Sequence, residues 1–152
     1  MTTNGNKAGD LGHGYYFEDL SVGMEATYAK KITEGDVRAF ADLSGDVNPV
    51  HLSDDFAAGT IFKKRIAHGF LTGSLFSTVL GTKLPGPGCI YLSQSMKFRA
   101  PVYIGDTITA EATVLEVHPT KPVSRLAIVI RNQDGGVVLE GEAGCYRMQP
   151  SE

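Results

Sequence analysis

Gly69 to Thr82 runs for fourteen residues without a charged side chain, between His68 and Lys83. Phe70, Leu71, Leu75, Phe76, Val79 and Leu80 fall on more than one face at helical spacing. A helix that is uncharged all round is a buried helix. At 1.5 Å per residue it spans about 21 Å, too short to cross a bilayer. Gly73, Ser74 and Ser77 let other backbone approach it closely, and Gly81 with Leu84-Pro85-Gly86-Pro87-Gly88 ends it. The rest of the chain is therefore expected to wrap this one helix.

The flanking patterns say what does the wrapping. Met24, Ala26, Tyr28 and Ile32 share one parity, a first strand. Thr33 with Asp36 has the form of a capping box. Val37, Phe40, Ala41 and Ser44 follow at helical spacing, and Gly45 stops that helix. Asp46 to His51 reads as a structured loop, since Asn48-Pro49 disfavours helix at Asn48. A helical turn is expected near Ser53 to Ala58. Beyond the buried helix the period becomes two. Ile90, Leu92, Met96 and Phe98 share a face, as do Ile108, Ala110, Ala112 and Val114, and then Leu126, Ile128 and Ile130. Asp134-Gly135 is a hairpin signal, and Val137 to Met148 is a last strand. This order implies an α+β fold, an antiparallel sheet curled around one central helix, with a helical insert before it. Such a sheet keeps a face and an edge that need cover, so a homodimer or higher homo-oligomer is expected.

The chain's 152 residues suit one domain. Residues 1–14 are polar and Gly-rich, without the form of a signal peptide, and are expected to be a flexible leader; residues 15–150 are expected to form the domain. The charge sum, 14 − 17 = −3, leaves no basic surplus for nucleic acid or an anionic membrane. Cys89 and Cys145 lie far apart without a CxxC pair, which points to a reducing, cytoplasmic setting and neither a disulfide nor a zinc site.

One run carries chemistry: Ser44-Gly45-Asp46-Val47-Asn48-Pro49-Val50-His51. An acid and an imidazole sit five residues apart on a loop shaped by Gly and Pro. Gly45 allows a sharp helix exit, Asn48 can hold the turn, and Pro49 restricts the approach to His51. A carboxylate with an imidazole near its working pKa is an acid–base pair. Taken alone, the spacing also allows Asp46 as a turn residue and His51 as a surface histidine. His68, just before the buried helix, is a rival for the histidine role. Asp54 and Asp55 suit a helix N-terminus, and Asp106 suits a turn. Lys63, Lys64, Arg65, Lys97 and Arg99 are candidates to meet phosphates. No His, Cys or acidic pair has metal-ligand spacing such as HxxxH, so no metal is expected.

The string S-G-D-x-N-P-x-H, with Phe56-Ala57, Ile66-Ala67-His68-Gly69, the run 84–92 and Phe98 to Asp106, resembles the MaoC-like (R)-specific enoyl-CoA hydratases. The similarity spans about residues 20 to 148. It implies the hot-dog fold, with a helical overhang insert carrying the catalytic loop. It implies Asp46 and His51 as catalytic residues and Gly69 as the backbone donor to the thioester oxygen. Asn48 would hold the loop, and Ser77 would face the site from the helix. The resemblance also implies syn hydration of a trans-2-enoyl-CoA to an (R)-3-hydroxyacyl-CoA with no cofactor, CoA being part of the substrate. The chain most resembles the short single-domain type that supplies polyhydroxyalkanoate synthesis, with a short-chain preference.

The chemistry explains these residue types. Water must add at C3 and a proton at C2, while negative charge grows on the thioester oxygen. Asp46 and His51 are expected to polarise one water, and the Gly69 amide to meet the oxygen at a helix N-terminus. A hot-dog thioesterase is the alternative, although it usually carries an acid on the central helix and Gly69 to Thr82 holds none. Acyl-carrier-protein substrates and a non-catalytic acyl-binding domain are further alternatives.

Overall fold

The computed structural model describes residues 14–147. The expected leader, His13 and the chain beyond Arg147 lie outside them, apart from Gly14. Gly14 is buried against the turn at Pro85 to Pro87, at a positive φ of 75°.

Strand β1 (Glu25–Lys31) comes first, with alternate residues half-buried. Helix α1 (Glu34–Ser44) follows with its capping box intact: Thr33 Oγ1 accepts from the Asp36 amide and Asp36 accepts from the Thr33 amide. Gly45 ends α1 in the left-handed region at φ 81°, a conformation that costs glycine no Cβ clash. Two short helical segments follow, α2 (Pro49–Leu52) and α3 (Asp54–Ala58). The second half of the expected loop is thus a helical turn. Pro49 sits at its first position, where the missing N–H costs nothing.

Helix α4 spans Gly69–Thr82. Leu71, Leu75, Phe76, Val79 and Leu80 are buried from it. Strands β2 (Cys89–Gln94), β3 (Lys97–Phe98), β4 (Thr107–Val117), β5 (Val123–Arg131) and β6 (Val137–Arg147) complete the chain. All pair antiparallel in one sheet of order β1-β4-β5-β6-β2, with β3 also on β6. The inward faces of β4 and β5 are those the alternation indicates: Ile108, Ala110, Ala112, Val114, Leu126, Ile128 and Ile130 are buried against α4. This is an α+β hot-dog architecture. Among the described residues no helix is long and apolar enough to cross a membrane.

Two expectations change. Ile90, Leu92 and Phe98 are 43%, 55% and 54% exposed, and Phe70 on α4 is 65% exposed. Strand β2 is the sheet's edge, and among the described residues its apolar side chains stay largely uncovered. The two cysteines, distant in sequence, are diagonal neighbours on β2 and β6, because Cys145 pairs with Tyr91 and Cys89 with Arg147. Both are free thiols.

Candidate active site

The insert between β1 and α4 folds back so that Asp46 and His51 meet the start of α4. Ser44 begins the shaping. Its hydroxyl donates to the Phe40 carbonyl at 2.6 Å and accepts from the Asp46 amide at 3.1 Å. Asp46 Oδ1 accepts from the Asn48 amide at 3.2 Å, and Asn48 Oδ1 accepts from the Val50 amide at 3.1 Å. Asn48 therefore caps α2 and aims His51. Asp46 is the turn residue that its spacing allows, but His51 is no surface histidine, being 7% exposed.

A carboxylate oxygen of Asp46 and a ring nitrogen from each of His51 and His68 lie within 4.8 Å of one another. One water can bridge acceptors at that separation, since each of its hydrogen bonds spans about 2.8 Å. His51 Nδ1 lies 2.7 Å from the Ile66 carbonyl. A carbonyl only accepts, so Nδ1 carries the hydrogen and Nε2 keeps a lone pair. Burial lowers the His51 pKa from its ordinary 6.5; the Ile66 bond and Asp46 oppose this, and His68 adds to it. The ring is thereby held as a neutral base near neutral pH.

The trio has donor types that also bind metals. The His51 and His68 rings lie with centroids 3.9 Å apart and planes tilted by 30°. His51 Nδ1 and His68 Nε2 are bonded to main-chain carbonyls, which leaves His51 Nε2, His68 Nδ1 and the Asp46 carboxylate as the donors that face one another.

Gly69 is the first residue of α4, where the amides lack helical partners. It lines a cleft of about 360 Å³ with His51, Thr72, Phe98, Val102 and Val138, within the range of small-molecule sites. A Cβ on Gly69 would lie 2.6 Å from Phe98 Cε1, so only glycine fits there without moving that ring. The structure therefore brings His51 and Gly69 to one cleft and sets Asp46 against His51 and His68, with Asn48 holding the turn between them. It does not bring Ser77 to this cleft: Ser77 lies two turns further along α4 on its exposed face.

Arg65 is a residue that sequence reasoning misplaced. It is 9% exposed and not free to meet a phosphate. Its Nη1 and Nη2 donate to the two carboxylate oxygens of Glu34 at 2.7 and 2.8 Å, and its Nε donates to the His51 carbonyl at 2.7 Å. The guanidinium thus ties the start of α1 to the backbone of His51. Glu34 precedes Arg65 by 31 residues, so no local pattern announces the pair. Arg99 is likewise paired, with Glu140.

The MaoC-like domain family matches residues 20–130. The chain belongs to the MaoC-like family. An (R)-specific enoyl-CoA hydratase of Rhodospirillum rubrum is 51% identical over 129 residues, 85% of this chain and 89% of that protein. A 3-hydroxybutyryl-CoA dehydratase of Methylorubrum extorquens is 52% identical over 128 residues, 84% of this chain and 81% of that protein. Among solved structures, the Aeromonas caviae (R)-hydratase involved in PHA biosynthesis superposes with a TM-score of 0.84 at 44% identity, covering 86% of this chain and 99% of that one. Within this MaoC-like chain, the family's hot-dog scaffold explains why the insert and the start of the central helix face one cleft.

Proposed function

We propose that this MaoC-like chain is an (R)-specific enoyl-CoA hydratase, a hydro-lyase that reversibly adds water to a trans-2-enoyl-CoA to give an (R)-3-hydroxyacyl-CoA. The observation that carries the reading is the Asp46 carboxylate beside His51, whose ring shares a cleft with Gly69. His51 Nε2 takes a proton from a water that Asp46 also holds. The water oxygen attacks C3 while charge grows on the thioester oxygen at the Gly69 N–H. The pair then returns a proton to C2 on the same face, which makes the addition syn. General acid–base help is worth roughly 10²–10⁴-fold, and one backbone donor about 10²–10³-fold. Each step has its group among these residues, so the reading needs no metal or organic cofactor. The A. caviae relative is involved in polyhydroxyalkanoate biosynthesis, and supply of the product to that synthesis is the pathway we assign. A reducing cytoplasm suits two neighbouring cysteines that remain thiols.

The same reading includes a homodimer joined through β2. The other sheet edge, β1, carries Glu25, Lys30 and Lys31, charges that discourage pairing. The β2 edge presents Ile90, Tyr91 and Leu92 beside Phe70. Leu92→Asp is expected to give monomers by light scattering where the wild type gives dimers.

Crotonyl-CoA tests the activity. Enoyl absorbance should fall without release of free thiol, and chiral analysis should give the (R) product. Thiol release would instead mark a thioesterase. A rate confined to acyl-carrier-protein thioesters would remove CoA from the reading.

A further inference from the structure

His68 is the residue before α4 and is 1% exposed. It occupies the N-cap yet makes no side-chain bond to its own helix. The preferred N-cap residues are short and polar, so an imidazole is poorly suited to capping. Its ring packs instead against Phe40 of α1, with centroids 4.8 Å apart, and against His51, at 3.9 Å. Its Nε2 lies 2.9 Å from the Asp46 carbonyl and therefore donates to it. Its Nδ1 is buried without a hydrogen-bond partner among the described residues. A buried unpartnered nitrogen costs stability. Phenylalanine would fill the same space without that cost.

One ring therefore touches the Asp46 main chain and the His51 ring while its own backbone leads into Gly69. We infer that His68 is a positioning residue that holds Asp46 and His51 in register with the Gly69 amide during hydration. The inference rests on the hydratase reading. It assigns His68 no contact with substrate, since its Nε2 is committed to the Asp46 carbonyl and its ring is packed between Phe40 and His51.

The pH behaviour of His51 reports this role. Two titratable side chains face its ring: the Asp46 carboxylate from the turn after α1, and His68 from the start of α4. Arg65 reaches only the His51 backbone carbonyl, with Glu34 and Asp54 beyond it. Asp46 favours protonation of His51 and His68 opposes it. Removing the His68 imidazole therefore raises the pH at which His51 protonates.

The test compares His68→Phe with His68→Gln. Phenylalanine keeps the ring contacts and loses the donor to Asp46. Glutamine places an amide N–H near the position of Nε2. For His68→Phe, kcat should fall about 10- to 100-fold with KM changed less than about threefold, as for a misplaced catalytic group. Its unfolding temperature should equal or exceed the wild type's. Its acidic limb in kcat/KM and its His51 titration, followed by NMR without substrate, should both move upward. His68→Gln should hold kcat within about fivefold of wild type. Wild-type turnover in His68→Phe with an unmoved His51 titration overturns the inference. So do losses in both variants that merely track the fraction folded. Should His68→Phe not fold, His68→Gln decides: near-normal turnover with a raised His51 titration supports the role, and lost turnover with an unmoved titration overturns it. Wild-type protein that hydrates no enoyl-CoA would sink the functional reading instead, while the substrate-free titration still tests the placement of His68.

Discussion

Gly69→Ala separates the oxyanion role of Gly69 from helix geometry. The new methyl would lie 2.6 Å from Phe98 Cε1 and 3.0 Å from Cζ. Carbon atoms in contact prefer about 3.5–4.0 Å, so the ring must retreat by roughly 1 Å (3.6 − 2.6). Phe98 is 54% exposed on a two-residue strand and is free to swing. Folding should therefore tolerate the change. Alanine also gains up to about 1 kcal/mol of helix propensity over glycine in a helix interior, and less at a first position. The net change should stay within about 1 kcal/mol, or about 3 °C in Tm. Turnover should not tolerate it. Both the methyl and the displaced ring occupy the cleft where the thioester oxygen meets the amide. A misplacement of about 1 Å can cost 10²-fold, and losing such a donor costs about 3 kcal/mol. The expected loss in kcat/KM is about 100-fold, followed by enoyl absorbance with crotonyl-CoA beside a thermal melt. Activity within about threefold of wild type in a folded Gly69→Ala protein would refute the reasoning.

Other outcomes follow from the same geometry. Burial lowers the His51 pKa, so the acidic limb of kcat/KM should lie below the ordinary 6.5; a limb at or above 6.5 contradicts a desolvated base. The same shift makes stability fall as pH drops below 6.5, because the unfolded chain then binds the proton more readily, and melts across pH 7 to 5 check the sign. Glu34→Gln removes the half-exposed carboxylate that fixes Arg65 while Asp54 stays at 3.9 Å, and should cost about 1 kcal/mol in denaturant unfolding. Gly141→Ala would set a Cβ 1.8 Å from the Ser95 carbonyl oxygen, which is backbone and cannot yield, so it should destabilise by at least about 3 kcal/mol. Gly144→Ala meets only the Ser93 hydroxyl at 2.6 Å, which can rotate away, and should cost less than about 1 kcal/mol.

Much of this was legible because its causes are local. The uncharged run fixes α4 at Gly69 and Thr82, and the Thr33–Asp36 capping box and Gly45 bound α1. Period-two alternation identifies the buried faces of β4 and β5. Asp46, Asn48 and His51 lie within six residues, so their turn chemistry could be read directly. What was hidden depends on distant chain. Alternation marks Ile90 and Leu92 as sharing a face, yet only the sheet order shows that β2 is an edge, where the described residues leave them largely uncovered. The Arg65–Glu34 pair and the His68–Asp46 bond span 31 and 22 residues. Ser77 lies on a helix apolar all round, where sequence alone does not distinguish the face turned to the cleft from the one left open.

The most direct test of the account is Asp46→Asn assayed with crotonyl-CoA. Asparagine keeps an oxygen to accept the Asn48 amide bond, so the turn survives while the charge beside His51 is lost. The account predicts a kcat lower by about 10²–10⁴-fold in a protein that melts like the wild type. Hydration at near wild-type rate by that variant would contradict it.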